Sequence, residues 1–220
     1  MTSDLRTWAA WIFDQPVPEP SLYWNTEALG SIKPSAEMLI GIGQLFESSA
    51  RLLRSYSDAQ LNQGFWFLCG PESEAMRGLV DEAIDWDARA RCIHSFMSLF
   101  GDLFMARCTP HLSHLMRGSE PENAQISPLN SACYMWWDFD CWSPSTKHPR
   151  VDAEFLDIMR QILALPHDAC RESALHGLGH WYRAYPSQTT GIIDDFLARN
   201  EGIRDELRRY ALAARCGCIQ

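Results

Sequence analysis

Two histidines four residues apart, His176 and His180, come nearest to a chemical motif in this sequence. On a helix, side chains at i and i+4 share one face, which is the spacing that two metal ligands require. Position 177 is Gly, so the Glu of the metalloprotease motif H-E-x-x-H is missing. A third ligand would have to come from elsewhere, with His167 and Asp138 as candidates. The sequence favours the alternative, a pair that is internally hydrogen-bonded or faces a partner, so we assign no metal and no cofactor.

Nucleophilic catalysis has little support in the sequence. There is no G-x-S-x-G motif, and Cys92 and His94 are two residues apart, which places them on different helix faces. Phosphate-binding loops, dinucleotide-binding glycine motifs and EF-hands are also absent from the sequence. We therefore expect a binding protein rather than an enzyme. A small hydrolase that uses His176, His180 and an Asp remains the alternative.

Apolar residues recur at helical spacing along most of the chain, so we expect helices to position the candidate residues. Serines suited to N-capping and helix-ending prolines, such as Pro166 and Pro186, separate the apolar periodic stretches. Gly202 is expected to form a turn in which it can adopt a positive φ. No stretch alternates long enough to predict a strand, so the fold class is all-α. We predict helices over residues 4–14, 35–53, 58–68, 72–83, 87–107, 152–165, 168–184, 188–199 and 203–215.

Small residues recur with a period near 40 residues, at Ser49-Ala50, Ala90, Ser131-Ala132, Ser173-Ala174 and Ala211. Only small side chains fit where two packed helices cross closely, and about 40 residues hold the helix pair of an α-solenoid repeat. The stretch from Ala174 to Gly179 resembles the second helix of HEAT-type repeats. The wider resemblance to such repeats covers mainly residues 152–217. The resemblance implies a short right-handed superhelix of antiparallel helix pairs. An irregular helical bundle is the alternative.

The most distinctive segment is Tyr134–Trp142, which contains three Trp, one Phe and two Asp. A shift of 42 residues superimposes Tyr134 on His176 and Asp138 on His180. In HEAT-like solenoids the second helices line the concave surface, where ligands bind. We therefore predict one partner-binding stripe, although Trp136 and Phe139 at least should belong to the core. The predicted stripe consists of Tyr134, Trp137, Asp138, His176, His180 and Arg183.

The net charge of −9 argues against phosphate recognition, since 19 Lys and Arg stand against 28 Asp and Glu. An acidic, Trp-rich domain without catalytic motifs is similar in type to the immunity proteins that neutralise bacterial toxins. That resemblance implies a protein-binding module that occludes a basic, toxin-like partner, with no nucleic acid or membrane involved. A structural subunit of a larger complex is a further alternative.

The domain organisation follows from the prolines and the helical pattern. We predict an N-terminal helix and proline-rich loop over residues 1–33, followed by one helical-repeat domain over residues 34–220. No secretory signal or membrane-spanning run is recognisable, which predicts a cytoplasmic protein. The scattered cysteines favour reduced, structural thiols over disulfides. They lie at positions 69, 92, 108, 133, 141, 170, 216 and 218.

Overall fold

A computed structural model describes residues 2–17, 33–70, 73–116, 125–139, 142–144 and 147–219. Over these ranges the chain is helical and contains no β-strand, which confirms the predicted all-α class. The α-helices are α1 (Thr2–Phe13), α2 (Ala36–Glu47), α3 (Ser49–Leu52), α4 (Asp58–Cys69), α5 (Trp86–Ser98), α6 (Met105–Arg107), α7 (Leu129–Tyr134), α8 (Pro149–Ile162), α9 (Asp168–Trp181), α10 (Pro186–Arg199) and α11 (Asp205–Ala214). A π-helical segment, Leu99–Phe104, joins α5 to α6, and 3₁₀ turns span Glu74–Leu79, Ser113–Leu115 and Met135–Asp138.

Several helices begin where the sequence places a cap. Ser35 accepts a hydrogen bond from the Met38 amide ahead of α2. Ser57 and Gln60 form a reciprocal capping box at α4, which satisfies two amides that lack partners within the helix. The helices α8 and α10 begin with proline, because its fixed φ suits the first turn and its missing N–H costs no hydrogen bond there.

One local prediction was wrong, and another was correct only in part. The predicted helix at 72–83 is only the 3₁₀ turn Glu74–Leu79, in a stretch that contains the poor helix former Gly78. The predicted turn at Gly202 is present, but among the described glycines it is Gly217, after α11, that has a positive φ, at 68°.

The helices make two series of neighbour contacts. In one, α2 packs against α5, α5 against α8, and α8 contacts α10; in the other, α4, α7, α9 and α11 contact one another in that order. The helix α9 also packs against α8, α10 and the turn Met135–Asp138. It is therefore buried on nearly all sides, and His180 is its one exposed residue.

The predicted small-residue positions fall into both series. Ala132, Ala174 and Ala211 are fully buried, in the successive neighbours α7, α9 and α11. Ala90 is also buried, but it belongs to α5 in the other series. At the first position Ser49 is buried and Ala50 is exposed. The HEAT-like superhelix and its handedness remain predictions.

An aromatic cluster centred on Trp136 fills the core. Trp136 and Phe139 are 0% and 5% exposed, which confirms that these two belong to the core. Large aromatic rings contribute much of the apolar area that a helical core buries. The rings within 5.3–6.1 Å of the Trp136 ring are Phe46, Phe65, Phe96, Phe100, Phe104, Phe139 and Trp142.

The N-terminal helix packs on the rest of the protein. Phe13 of α1 is fully buried, with its ring 5.1 Å from that of Phe65 in α4. The close approach depends on Gly64, where a Cβ would lie 2.2 Å from the Phe13 ring. Most of the predicted proline-rich loop, and Cys141, lie outside the described residues. Among the helices that the structure describes, none is long and apolar enough to cross a membrane.

Candidate metal centre

Three side chains from two adjacent elements meet at one point. His176 and His180 lie one turn apart on α9, as their spacing predicts. Asp138 is the last residue of the turn Met135–Asp138, which packs against α9. Gly177 permits this packing, because a Cβ there would lie 2.5 Å from Cγ of Trp137. The missing side chain at 177 thus lets the Asp-bearing turn reach the histidine-bearing helix.

The potential ligand atoms form a nearly equilateral triangle. Nε2 of His176 lies 3.1 Å from Nε2 of His180 and 3.1 Å from Oδ1 of Asp138. The third side, from Nε2 of His180 to Oδ1 of Asp138, is also 3.1 Å. Tetrahedral zinc with ligands at 2.0–2.1 Å holds its donor atoms about 3.3 Å apart. The triangle therefore matches one face of a tetrahedral site to within a few tenths of an ångström.

The site faces solvent on one side. The His176 side chain is 2% exposed, that of Asp138 25% and that of His180 42%. Among the described residues, these three form the one group of His, Cys, Asp or Glu side chains whose donor atoms could converge on an ion. Three protein ligands with one open side are typical of catalytic metal sites, which keep a position for water or substrate.

A chain of hydrogen bonds fixes the orientation of His176. Nδ1 of His176 lies 2.7 Å from the Tyr210 hydroxyl, which in turn lies 3.1 Å from the Tyr134 hydroxyl. The Tyr134 ring also packs on the His176 ring, with centroids 4.4 Å apart. Metal-bound histidines usually donate their second ring N–H to such a partner, which fixes the tautomer. Nε2 of His176 is thereby directed toward His180 and Asp138.

A buried network of hydrogen bonds supports Tyr210 in turn. Glu172, one turn before His176 on α9, lies 2.5 Å from Nδ1 of His114. Its carboxylate also accepts the backbone N–H groups of Ser113 and His114, at 2.7 and 3.0 Å. The His114 ring stacks on Tyr210, with centroids 4.2 Å apart. Glu172, His114 and Tyr210 therefore form a second layer behind the potential ligands.

The ionisation of this cluster is shifted by burial and by hydrogen bonding. Burial raises the pKa of Asp138, but the hydrogen bonds and charges of His176 and His180 outweigh it, so the net pKa lies well below the ordinary carboxyl range. Burial raises the pKa of Tyr134 and of Tyr210, which keeps both hydroxyls protonated. Asp138 is thus an ionised potential ligand at neutral pH, and the two tyrosines remain hydrogen-bond donors.

The structure brings four of the six predicted stripe residues together: Tyr134, Asp138, His176 and His180. Trp137 is 2% exposed and stacks on Phe100, so its ring lies in the core rather than on a surface. Arg183 is exposed, two residues beyond the end of α9. A role of these residues in binding a partner remains a prediction.

Of the two candidates for a third ligand, the structure selects Asp138. His167 instead lies with Nε2 3.2 Å from the Cys108 carbonyl oxygen. Sequence reasoning missed Tyr210, Glu172 and His114. The sequence does contain a signal for Glu172, namely its spacing. It lies four residues before His176 and eight before His180, so all three share one helix face. His114 and Tyr210 come from other elements, and no spacing connects them to α9.

Comparisons with known proteins identify no relative: no family model, no curated protein and no solved structure matches this chain. Any function must therefore be argued from the site itself.

Proposed function

We propose that Asp138, His176 and His180 bind one divalent transition-metal ion, zinc or a similar ion, and that the protein is a metal-dependent hydrolase. Asp138 and His180 are partly exposed, so an ion held by the three residues would be accessible to solvent and would supply an activated water. Zinc bound to three protein ligands lowers the pKa of such a water toward neutrality, which supplies hydroxide without a strong base.

The observation that carries this proposal is the triangle of donor atoms with 3.1 Å sides. Hydrogen bonds to Asp138 from Nε2 of both histidines account for only two sides of this triangle. The third side brings the two Nε2 atoms within 3.1 Å of each other, although each already uses its proton for Asp138. A cation at the centre would satisfy all three atoms at once, while the Nδ1 proton of His176 bonds to Tyr210.

The chemistry of the donor atoms narrows the choice of ion. Two imidazole nitrogens and one carboxylate oxygen suit zinc, and also cobalt or nickel, better than magnesium or calcium, which prefer all-oxygen sets. A soft ion such as Cu(I) would prefer sulfur ligands. Zinc is therefore the first ion to test.

The binding experiment titrates the purified, chelator-stripped protein with Zn²⁺ in a calorimeter. We expect one ion per chain and a loss of at least about 100-fold in affinity for His180→Ala, since a three-ligand site loses one ligand. His94→Ala is the matched control, because His94 is a more exposed histidine bonded to Glu154 at 2.7 Å, and it should bind zinc like the wild type. Equal affinity in wild type and His180→Ala would refute the site.

The catalytic half of the proposal has its own test. Zinc-loaded protein is assayed with a chromogenic carboxylic ester and a chromogenic phosphodiester, beside zinc-loaded His94→Ala and metal-free protein. The hydrolase proposal is supported if either probe is hydrolysed only when zinc is present and if His94→Ala retains this activity. Zinc binding without any zinc-dependent hydrolysis of the two probes would contradict it and leave a metal-binding protein.

A second candidate is the protein-binding module expected from the sequence, a cytoplasmic, immunity-type inhibitor of a basic partner. Two observations favour it: the net charge of −9 and the solvent exposure of Arg183 and of His180, which contacts Asp138. Opposite charge would steer association and make it sensitive to salt. Low-salt pull-downs test this candidate; failure to recover a stoichiometric cationic partner counts against it. Partner binding that persists after chelation would separate it from the metal-dependent function.

A further inference from the structure

The Cys216-Gly217-Cys218 segment after α11 presents two thiols to solvent. Both cysteines are exposed, whereas the other five described cysteines, at 69, 92, 108, 133 and 170, are buried. The Cys218 thiol lies 3.6 Å from the Cys216 carbonyl oxygen. These two thiols are therefore both accessible and adjacent, unlike the buried structural thiols.

The backbone holds the two thiols on one tight turn. Gly217 has φ 68°, the left-handed conformation that favours glycine. Its N–H bonds to the Ala214 carbonyl at 3.0 Å, and the Cys218 N–H bonds to the Ala213 carbonyl at 2.9 Å. This pair of bonds is the Schellman motif that commonly ends a helix. Cys216 and Cys218 are the residues on either side of its left-handed glycine.

The Cys216–Cys218 turn packs against α9 and against Tyr182, the residue that follows α9. A Cβ on Gly217 would lie 2.9 Å from the Tyr182 ring, and a Cβ on Gly179 would lie 2.7 Å from the Ile219 side chain. Gly217 and Ile219, the two neighbours of Cys218 in the chain, therefore both pack against the rest of the protein. Such anchoring lowers the entropy that is lost when the two sulfur atoms are brought together.

We propose that Cys216 and Cys218 form a reversible disulfide by exchange with a low-molecular-weight disulfide of the glutathione type. The Cys216 thiolate attacks one sulfur of that disulfide, forms a mixed disulfide and releases one small thiolate. Cys218 loses its proton to solvent and attacks Sγ of Cys216, which releases the second small thiol. The protein dithiol gives up two electrons, and the small disulfide gains them as two thiols.

The proposed order of attack begins at Cys216, the residue next to the end of the helix, and agrees with the direction of the pKa shift at Cys218. The hydrogen bond and charge of Cys216 raise the pKa of Cys218. Cys218 therefore keeps its proton in the first step and acts in the second. A disulfide closed across a single residue is strained, and strained, exposed disulfides are more easily reduced than structural ones. The bond should consequently be reversible rather than a permanent crosslink.

Native protein treated with oxidised glutathione, acid-quenched and digested with trypsin provides the test. Cleavage after Arg215 yields a peptide that begins at Cys216 and contains no other cysteine except Cys218. We expect this peptide to lose about 2 Da, the mass of two hydrogens, without a retained adduct, and to regain it with dithiothreitol. In Cys218→Ser the glutathione should stay attached to Cys216, because the resolving thiol is missing.

Three outcomes would overturn the inference. One is a wild-type peptide that stays unmodified, and another is one that keeps glutathione without losing two hydrogens. The third is a Cys218→Ser protein that sheds its adduct as fast as the wild type, which would show that another thiol resolves it. None of these readouts depends on metal binding or hydrolysis.

Discussion

Gly177 of α9 lies directly against the indole of Trp137, so closely that a Cβ would sit 2.5 Å from Cγ of the ring. The next residue after Trp137 is Asp138, whose carboxylate contacts both His176 and His180. The absence of one side chain thus decides how near the Asp-bearing turn comes to the histidines. Packing and site geometry are coupled through this pair of residues.

Replacement of Gly177 by Ala should destabilise the protein by about 1–3 kcal/mol, the usual cost of overpacking a core. The added methyl would also meet Sδ of Met159 at 2.7 Å, so neither neighbour leaves space. Urea unfolding followed by Trp fluorescence measures the change. Gly191→Ala in α10 is the control, because no atom lies within 4 Å of its added Cβ. It should be neutral or stabilise by up to about 1 kcal/mol. Equal behaviour of the two variants would contradict the close contact.

Helix positions were largely predictable from the sequence, because local signals decide them. Ser57 marks the start of α4 without tertiary information, whereas α8 and α10 begin at Pro149 and Pro186, three and two residues before the predicted starts at 152 and 188. The turn at Met135–Asp138 was less predictable, since its aromatic run suits either a surface or a core. Burial of Trp136 and Trp137 depends on partners from distant parts of the chain.

The candidate site was predictable only in part, for a similar reason. His176 and His180 are connected by helical periodicity, but Asp138 lies 38 residues before His176. Asp138 reaches the histidines only because the turn Met135–Asp138 packs against α9. Tyr210 follows His176 by 34 residues and comes from another helix. Local spacing contains no information on such contacts.

Replacement of Tyr210 by Phe tests the second layer of the proposed metal centre. With an ion on Nε2, His176 must keep its other proton on Nδ1 and donate it to the Tyr210 oxygen, 2.7 Å away. Loss of this acceptor should weaken zinc binding about 10–100-fold, as for other second-layer partners. Competition with a chromophoric chelator measures the affinity.

Tyr134→Phe is the matched control for Tyr210→Phe. Its hydroxyl bonds to the Tyr210 hydroxyl at 3.1 Å, one step further along the chain from Nδ1 of His176, so its loss should weaken zinc binding less. A zinc affinity that is unchanged in Tyr210→Phe, with folding intact by circular dichroism, would show that Tyr210 does not orient His176.

The lowered pKa of Asp138 predicts a pH-dependent contribution to stability. Because the folded-state pKa lies below the ordinary carboxyl value of 3.8, the ionised group stabilises the folded protein above that value. The contribution should disappear as the pH falls through the lower, folded-state pKa. The difference in unfolding free energy between wild type and Asp138→Asn, measured with chelator present, should therefore shrink as the pH falls from about 5 into stronger acid. A difference that grows on acidification would contradict the direction of the shift.

Replacement of Glu172 by Gln tests the buried support of the site. The Glu172 side chain is 1% exposed and accepts from two backbone amides and from His114. Gln keeps the shape but offers only one acceptor oxygen, so at least one buried N–H loses its partner, at a cost of about 1–3 kcal/mol. Glu154→Gln is the matched control, since Glu154 bonds to His94 at 2.7 Å with side chains 30% and 56% exposed. An exposed pair of this kind contributes about 0–1 kcal/mol. Denaturant unfolding should separate the two variants clearly; equal losses would mean that the Glu172 network does not stabilise the fold behind Tyr210.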